Sequence, residues 1–447
     1  MKKLISLLLV SVMVLSLAAC GDKSSSSDSS SKGSSSGVSE SVESSSASDT
    51  SSDPASDSSK SSESSSSDRS KANPTADSVV TKRASSYDLD TITAKDFVAA
   101  MALGWNLGNT LDATGGDGTD PIKQETSWGC PEITKELIQA VAGYGFTTIR
   151  IPVTWFKFTD PETYKIDEKM LARVKQVVDW AFEADLFVII NIHHDNYDKN
   201  SNTGWINVTD EGYEKTSAQL KAMWEQIGNY FADYDARLIF EGMNEPRNIG
   251  SGNEWNGTKG QWDNVNKLGT DFVNTVRGLG GKNATRFLMV PCYAATSNSS
   301  AWKNYVFPEN DDRVIMSIHA YTPYNFALNT SGTDQWTSQS QKDKQEIDKL
   351  FEDIKSILID KGRYAVIGEF GAMSKGANID ARTDWAGYYV SKAKEINIPV
   401  VWWDNNAFTD GETFGLIRRN MNNSLLFTSI VEAMINSWYG TDFKFGK

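Results

Sequence analysis

Eight short apolar runs punctuate the chain, at 102–107, 147–151, 186–192, 237–243, 286–291, 313–318, 364–368 and 398–403, each rich in Val, Ile, Leu or Phe. Runs of this length without polar alternation predict strands buried on both faces. Between them the apolar positions recur at helical spacing, which predicts helices over 167–184, 214–232, 263–278, 341–361 and 381–395, with a last one over 424–438. Eight strands, each trailed by a helix across about 360 residues, predict an α/β chain folded as a (β/α)8 TIM barrel with some enlarged loops. A doubly wound open sheet is the alternative. It calls for a Gly-rich phosphate turn after the first strand, and Gly104-Trp105-Asn106-Leu107-Gly108-Asn109 lacks the G-x-G-x-x-G spacing.

Upstream of residue 87 this alternation is absent. Met1-Lys2-Lys3 is a basic start, and the apolar stretch 4–17 is shorter than the ~20 residues a membrane-spanning helix needs. It reads as the hydrophobic region of a secretory signal, and Leu17-Ala18-Ala19-Cys20 looks like a bacterial lipobox. Residues 1–20 are thus expected to be a lipoprotein signal peptide with Cys20 as the lipidated residue, carrying enough acyl chain for stable anchoring. Residues 21–86 are dominated by Ser and nearly free of apolar side chains, the composition of a disordered tether, with glycosylation of its Ser left open. The catalytic domain is expected over 87–447. The implied location is extracellular, on the outer face of the cell membrane through Cys20, or secreted.

Charge and cysteine usage then remove several function classes. Across 447 residues, 58 carboxylates stand against 44 Lys and Arg, a formal net charge of −14. A surface of that sign repels phosphate backbones, so no nucleic-acid partner is expected, and the only membrane contact expected is the lipid anchor. Three Cys cannot build a multi-bridge scaffold, and the spacing leaves a Cys130–Cys292 pair open. Three His make a His-rich metal centre improbable, and no cofactor is expected. The His193-His194-Asp195 triplet suggests a metal hydrolase only weakly, since neighbouring strand residues point apart. A structural Ca²⁺ in the acidic loop 112–120 is a further alternative.

Polar residues gather where the apolar runs stop: Asn106, Arg150, His193 with His194, Asn244 with Glu245, Cys292 with Tyr293, His319 with Tyr321, Glu369, and Trp402-Trp403-Asp404. In a barrel these ends converge on one face, where active sites are built. Two carboxylates there, without a metal set, suit acid–base and nucleophilic attack on an acetal. Glu245 would end strand 4 and Glu369 strand 7, on nearly opposite sides of the barrel. Arg150 and Tyr321 beside one carboxylate would hold it ionised as a nucleophile, and the other would keep a raised pKa as the acid. A non-catalytic polysaccharide-binding protein would be expected to have lost one of the two.

These residues resemble glycoside hydrolase family 5, in its bacterial endo-β-1,4-glucanase branch. The resemblance runs through Gly104-Trp105-Asn106-Leu107-Gly108-Asn109-Thr110-Leu111-Asp112, Ile149-Arg150-Ile151-Pro152-Val153, Asn191-Ile192-His193-His194-Asp195 and Phe240-Glu241-Gly242-Met243-Asn244-Glu245-Pro246. It continues through Ser317-Ile318-His319-Ala320-Tyr321, Ile367-Gly368-Glu369-Phe370-Gly371 and Val401-Trp402-Trp403-Asp404-Asn405. It implies a retaining mechanism with Glu245 as acid/base and Glu369 as nucleophile, supported by Arg150, His193, Asn244, His319 and Tyr321. Asn106, His194 and Trp403 are assigned to substrate contact, with Trp403 favoured over Trp402 as the sugar platform. Glu241 is expected lower in the barrel, paired with a basic group. The expected substrate is a β-glucan polysaccharide, cellulose first, with xyloglucan, lichenan, xylan and mannan open, and the expected state is a monomer. Trp105, Trp155, Trp205, Trp255 and Trp336 are candidate platforms among the 14 Trp.

Overall fold

The computed structural model describes residues 75–308, 310–409 and 411–446. Cys20 and the tether as far as residue 74 lie outside the described residues. Eight parallel strands close into a barrel in chain order: β1 (Leu103–Leu107), β2 (Thr148–Ile151), β3 (Phe187–Asn191), β4 (Leu238–Glu241), β5 (Leu288–Pro291), β6 (Val314–His319), β7 (Ala365–Phe370) and β8 (Val400–Asp404). Each predicted run overlaps one of them, and β6, β7 and β8 continue one or two residues past it. Every strand residue is buried because the barrel interior takes one face and the helices take the other. The expected helices appear as Glu168–Glu183, Tyr213–Tyr230, Lys259–Gly278, Gln341–Ile357, Ile379–Glu395 and Thr428–Tyr439. Lys135–Gly143 and the short Ser299–Asn304 fill the places after β1 and β5.

Two of the boundary differences from the sequence reading have an evident structural cause. The last helix starts at Thr428 because Ser424–Leu425 pairs instead with Ile417–Arg418, across a turn in which Asn422 and Asn423 hold positive φ. The fold also begins before residue 87. Ala76 and Val80 are buried in the barrel core, Ala84 is buried under the strands' N-terminal ends, and Arg83 donates to the carbonyls of Ala142 and Phe146. Small apolar residues four apart in a Ser-rich stretch form a strap that composition alone hides. A chain starting at Tyr87 is expected to lose about 2–4 kcal/mol of stability relative to one starting at Ser70. Denaturant midpoints of the two chains check this.

Beneath the barrel, the helix Ala94–Met101 closes the floor. Phe97 stacks on Phe287 and meets Phe187 edge-on, beside Ile239, Met289 and Ile315. This apolar plug leaves the opposite end, where the strands finish, as the polar face.

Candidate active site

Parallel register puts Asn106 level with Arg150 on one side and with Trp403 on the other. Their side chains share the barrel interior, while Trp105 and Trp402 turn out onto the helices. The open choice between the two tryptophans is thereby resolved in geometry. Trp402 is fully buried and donates its Nε1–H to the Phe414 carbonyl, whereas Trp403 lies inside, parallel to the His193 ring at 5.8 Å. Gly108 makes room for it, since a Cβ there would stand 2.9 Å from the Trp403 ring.

Arg150 organises the centre. Its Nη1 donates to Glu369 Oε1 at 2.9 Å and to Asn106 Oδ1 at 3.0 Å, its Nη2 to Asn244 Oδ1 at 2.7 Å, and its Nε to Glu241 Oε2 at 2.7 Å. Glu241 is thus the interior carboxylate paired with a basic group, as expected. Tyr321 donates to Glu369 Oε2 at 2.9 Å. Between the carboxylates stands His319, whose Nδ1 lies 2.7 Å from Glu245 Oε1 and 3.6 Å from Glu369 Oε2. An oxygen of Glu245, one of Glu369 and a His319 nitrogen all fall within 4.8 Å of one another. The ladder between β7 and β8 shifts register between Ile367 and Phe370, which re-aims Glu369. A Cβ on Gly368 would press on Ser317 and His319.

Not every assigned residue reaches the groove. Asn106 is fully buried, with its oxygen taken by Arg150 and its nitrogen donating to the Gly368 carbonyl at 2.9 Å, so it orients Arg150 and has no free atom for a sugar. Trp105 and Trp155 are likewise buried, their indole N–H groups given to Asp404 and to the Asn191 carbonyl, and Trp336 packs on Phe326. Trp205 donates to Asp195. Of the five candidates only Trp255 is well exposed, at 39 %, and it covers the Arg247 guanidinium. Sequence reasoning missed Trp128, 42 % exposed and against the His194 ring, in a loop without periodic signal. It also missed Asn191 and Ser317, each two residues before a site histidine and so on the same strand face, and Arg247, whose Nη1 reaches Glu245 Oε2 at 3.4 Å.

The metal readings meet the donor chemistry. Asp112, His193 and His194 converge within 4.8 Å, while Asp195 turns to Trp155 and Trp205. Asn191 takes the Val153 N–H on its oxygen, so its amide nitrogen donates to His193 Nδ1 at 3.0 Å, which leaves the ring proton on Nε2. That nitrogen has no lone pair to offer an ion. In the loop proposed for Ca²⁺, Asp112 accepts from Asn109 and Thr110, Asp117 from Thr119 and Lys123, and Asp120 caps Pro121–Glu125. Cys130 and Cys292 are both free and buried, so the open disulfide is not formed.

Electrostatics reverse the expected order of the two carboxyls, with Glu369 the raised one and Glu245 the lowered one. Burial pushes Glu245 up, but the His319 contact and the His319 and Arg247 charges outweigh it and bring the carboxyl down to about 2. Burial would lower His319, yet Glu369 and Glu245 raise it. Burial raises Glu369, His319 and Arg150 oppose it, and the Glu245 charge adds to the rise. Glu245 and His319 therefore titrate as one pair that shares a proton across a 2.7 Å contact. Tyr321 is held neutral, well above its usual pKa.

Residues 111–409 match the model of "Cellulase (glycosyl hydrolase family 5)". The chain belongs to glycoside hydrolase family 5. Endoglucanase B of Neocallimastix patriciarum is 44 % identical over 336 residues, covering 74 % of this chain and 68 % of that protein. Endoglucanase A of Ruminococcus albus is 40 % identical over 355 residues, covering 78 % and 94 %. A broad-specificity endoglucanase of the same family from Ruminococcus champanellensis, solved with cellotriose bound, superposes with a TM-score of 0.73 at 41 % identity, covering 78 % of this chain and all of that one. This family 5 chain is a glycoside hydrolase with endo-1,4-β-glucanase activity.

Proposed function

We propose that this endo-β-1,4-glucanase works by double displacement, with Glu369 as nucleophile and Glu245 as general acid and then base. The observation that carries this is the approach of the two carboxylates within 4.8 Å. Retaining enzymes hold their pair about 5–5.5 Å apart, and an inverting pair needs roughly 6.5–9.5 Å to admit water. In the first step Glu369 attacks the anomeric carbon while the proton shared by His319 and Glu245 passes to the departing oxygen. In the second, Glu245 takes a proton from water, which displaces Glu369. Asn244, its oxygen fixed by Arg150, keeps its amide N–H groups for the sugar 2-hydroxyl. Proton NMR of the first products should give the β-anomer. The α-anomer would overturn the mechanism.

The pH profile follows from the signs of the shifts. Glu369 must be ionised, and its pKa is raised, so kcat/KM should fall on the acid side above the usual glutamate value of 4.5. The His319–Glu245 proton must be present, and His319 is raised, so the alkaline limb should lie above 6.5. A profile of kcat/KM against pH with only one limb would contradict the pair.

The substrate reading is a range of β-1,4-linked glucan backbones. Equatorial hydroxyls leave C–H faces that pack on indoles; Trp128 and Trp255 expose such faces, and Trp403 lies deeper, against His193. Hydrolysis of soluble cellulose derivative, lichenan, xyloglucan, xylan and mannan side by side tests it. We further propose that the enzyme is held outside the cell by lipid on Cys20, on the strength of the Leu17-Ala18-Ala19-Cys20 motif. Cys20→Ser should move it from the membrane fraction to the medium.

A further inference from the structure

Glu241 lies at the end of β4, below the catalytic pair and out of reach of the groove, with no solvent exposure. Its Oε2 accepts from Arg150 Nε at 2.7 Å and from Asn191 Nδ2 at 2.9 Å, and its Oε1 accepts from Ser317 Oγ at 2.5 Å. Arg150 is equally buried, and it faces two carboxylates, Glu241 through Nε and Glu369 through Nη1. One positive charge is therefore divided between two negative ones in a medium where neither is well screened.

We propose that Glu241 is a positioning residue that sets the basicity of Glu369, by drawing to itself part of the Arg150 charge that would otherwise quiet the nucleophile. This rests on the reading of Glu369 as the attacking group. A carboxylate with sole claim on a buried guanidinium is easily ionised but a weak nucleophile. Sharing the guanidinium keeps Glu369 reactive while Arg150 still fixes its position. The same Glu241 oxygen holds Asn191, which sets the His193 ring, so one buried carboxylate orients two sides of the groove. The charged and titratable groups around Glu369 are Arg150 from β2, Glu241 from β4, Glu245 beyond it, His319 and Tyr321 from the end of β6, and Glu412 from the loop after β8. Of these, only the Glu241 charge changes in the test.

Glu241→Gln isolates that charge. A Gln oxygen in place of Oε2 accepts from Arg150 and Asn191, and its amide nitrogen donates to the Ser317 hydroxyl, so every contact has a counterpart. The acid limb of kcat/KM is expected to move down by at least about half a pH unit. Plateau kcat is expected to fall roughly 3- to 10-fold as the nucleophile weakens. Ser317→Ala keeps the charge and removes one contact, so its acid limb should stay in place. An unmoved or raised limb in Glu241→Gln, an equal shift in Ser317→Ala, or loss of the fold in Glu241→Gln would each overturn the proposal. Labelling the wild-type enzyme with a 2-deoxy-2-fluoro-cellobioside and mapping the modified peptide separates the two readings. A label away from Glu369 sinks the assigned nucleophile, whereas a label on Glu369 with an unmoved limb sinks only the role of Glu241.

Discussion

Glu369→Gln is expected to lower kcat on β-glucan by about 10⁴-fold or more. The amide matches the carboxylate in shape. Its oxygen can accept from Arg150, and its nitrogen can donate to the Tyr321 hydroxyl once that group rotates, so the contacts at 2.9 Å on either side have replacements. What disappears is the ionised oxygen that forms the bond to the sugar. Calorimetric binding of cellotetraose and the thermal midpoint should stay near those of the parent. Turnover within about a hundredfold of the parent would remove Glu369 from the nucleophile's role.

Glu245→Gln should separate the two halves of the reaction. On glucan the departing hydroxyl needs its proton, and kcat is expected to fall by roughly 10²–10⁴-fold. Aryl cellobiosides with very acidic leaving groups need little protonation, so their first step should remain fast while the second, now without a base, becomes slow. The expected record is a burst of phenol of about one equivalent followed by slow turnover. Azide, a nucleophile that needs no base, should restore the slow step. Equal losses on both substrate types would place Glu245 outside the proton path.

Both variants rest on residues that were legible because of where the apolar runs end. Parallel strands buried on both faces are written as continuous Val, Ile, Leu and Phe, so their limits fell within a few residues of β1–β8 and their ends pointed to Arg150, Asn244, Glu245, His319, Tyr321 and Glu369. What escaped was whatever depends on the other partner of a contact. Asn106 looks like a groove residue until Arg150 and the Gly368 carbonyl are seen to consume its amide. Trp105 and Trp155 look like platforms until their indoles are found fully buried, with their N–H groups given to Asp404 and the Asn191 carbonyl. That the acid is a Glu245–His319 pair turned on His319 crossing from β6 to touch Glu245, a distance no linear pattern encodes. Trp128 lies in an aperiodic loop, and the 75–86 strap uses Ala and Val too sparsely for composition to register.

That strap bears on how the enzyme can be handled. Ala84 sits under the strands' N-terminal ends and the Ala76 N–H donates to the Gly143 carbonyl, so the polypeptide enters the barrel from its floor. The groove opens at the far end. Coupling the protein to a bead or an electrode through its amino-terminal end should leave long polymers free to thread past Glu245 and Glu369, whereas random attachment through surface lysines would bury some grooves against the support.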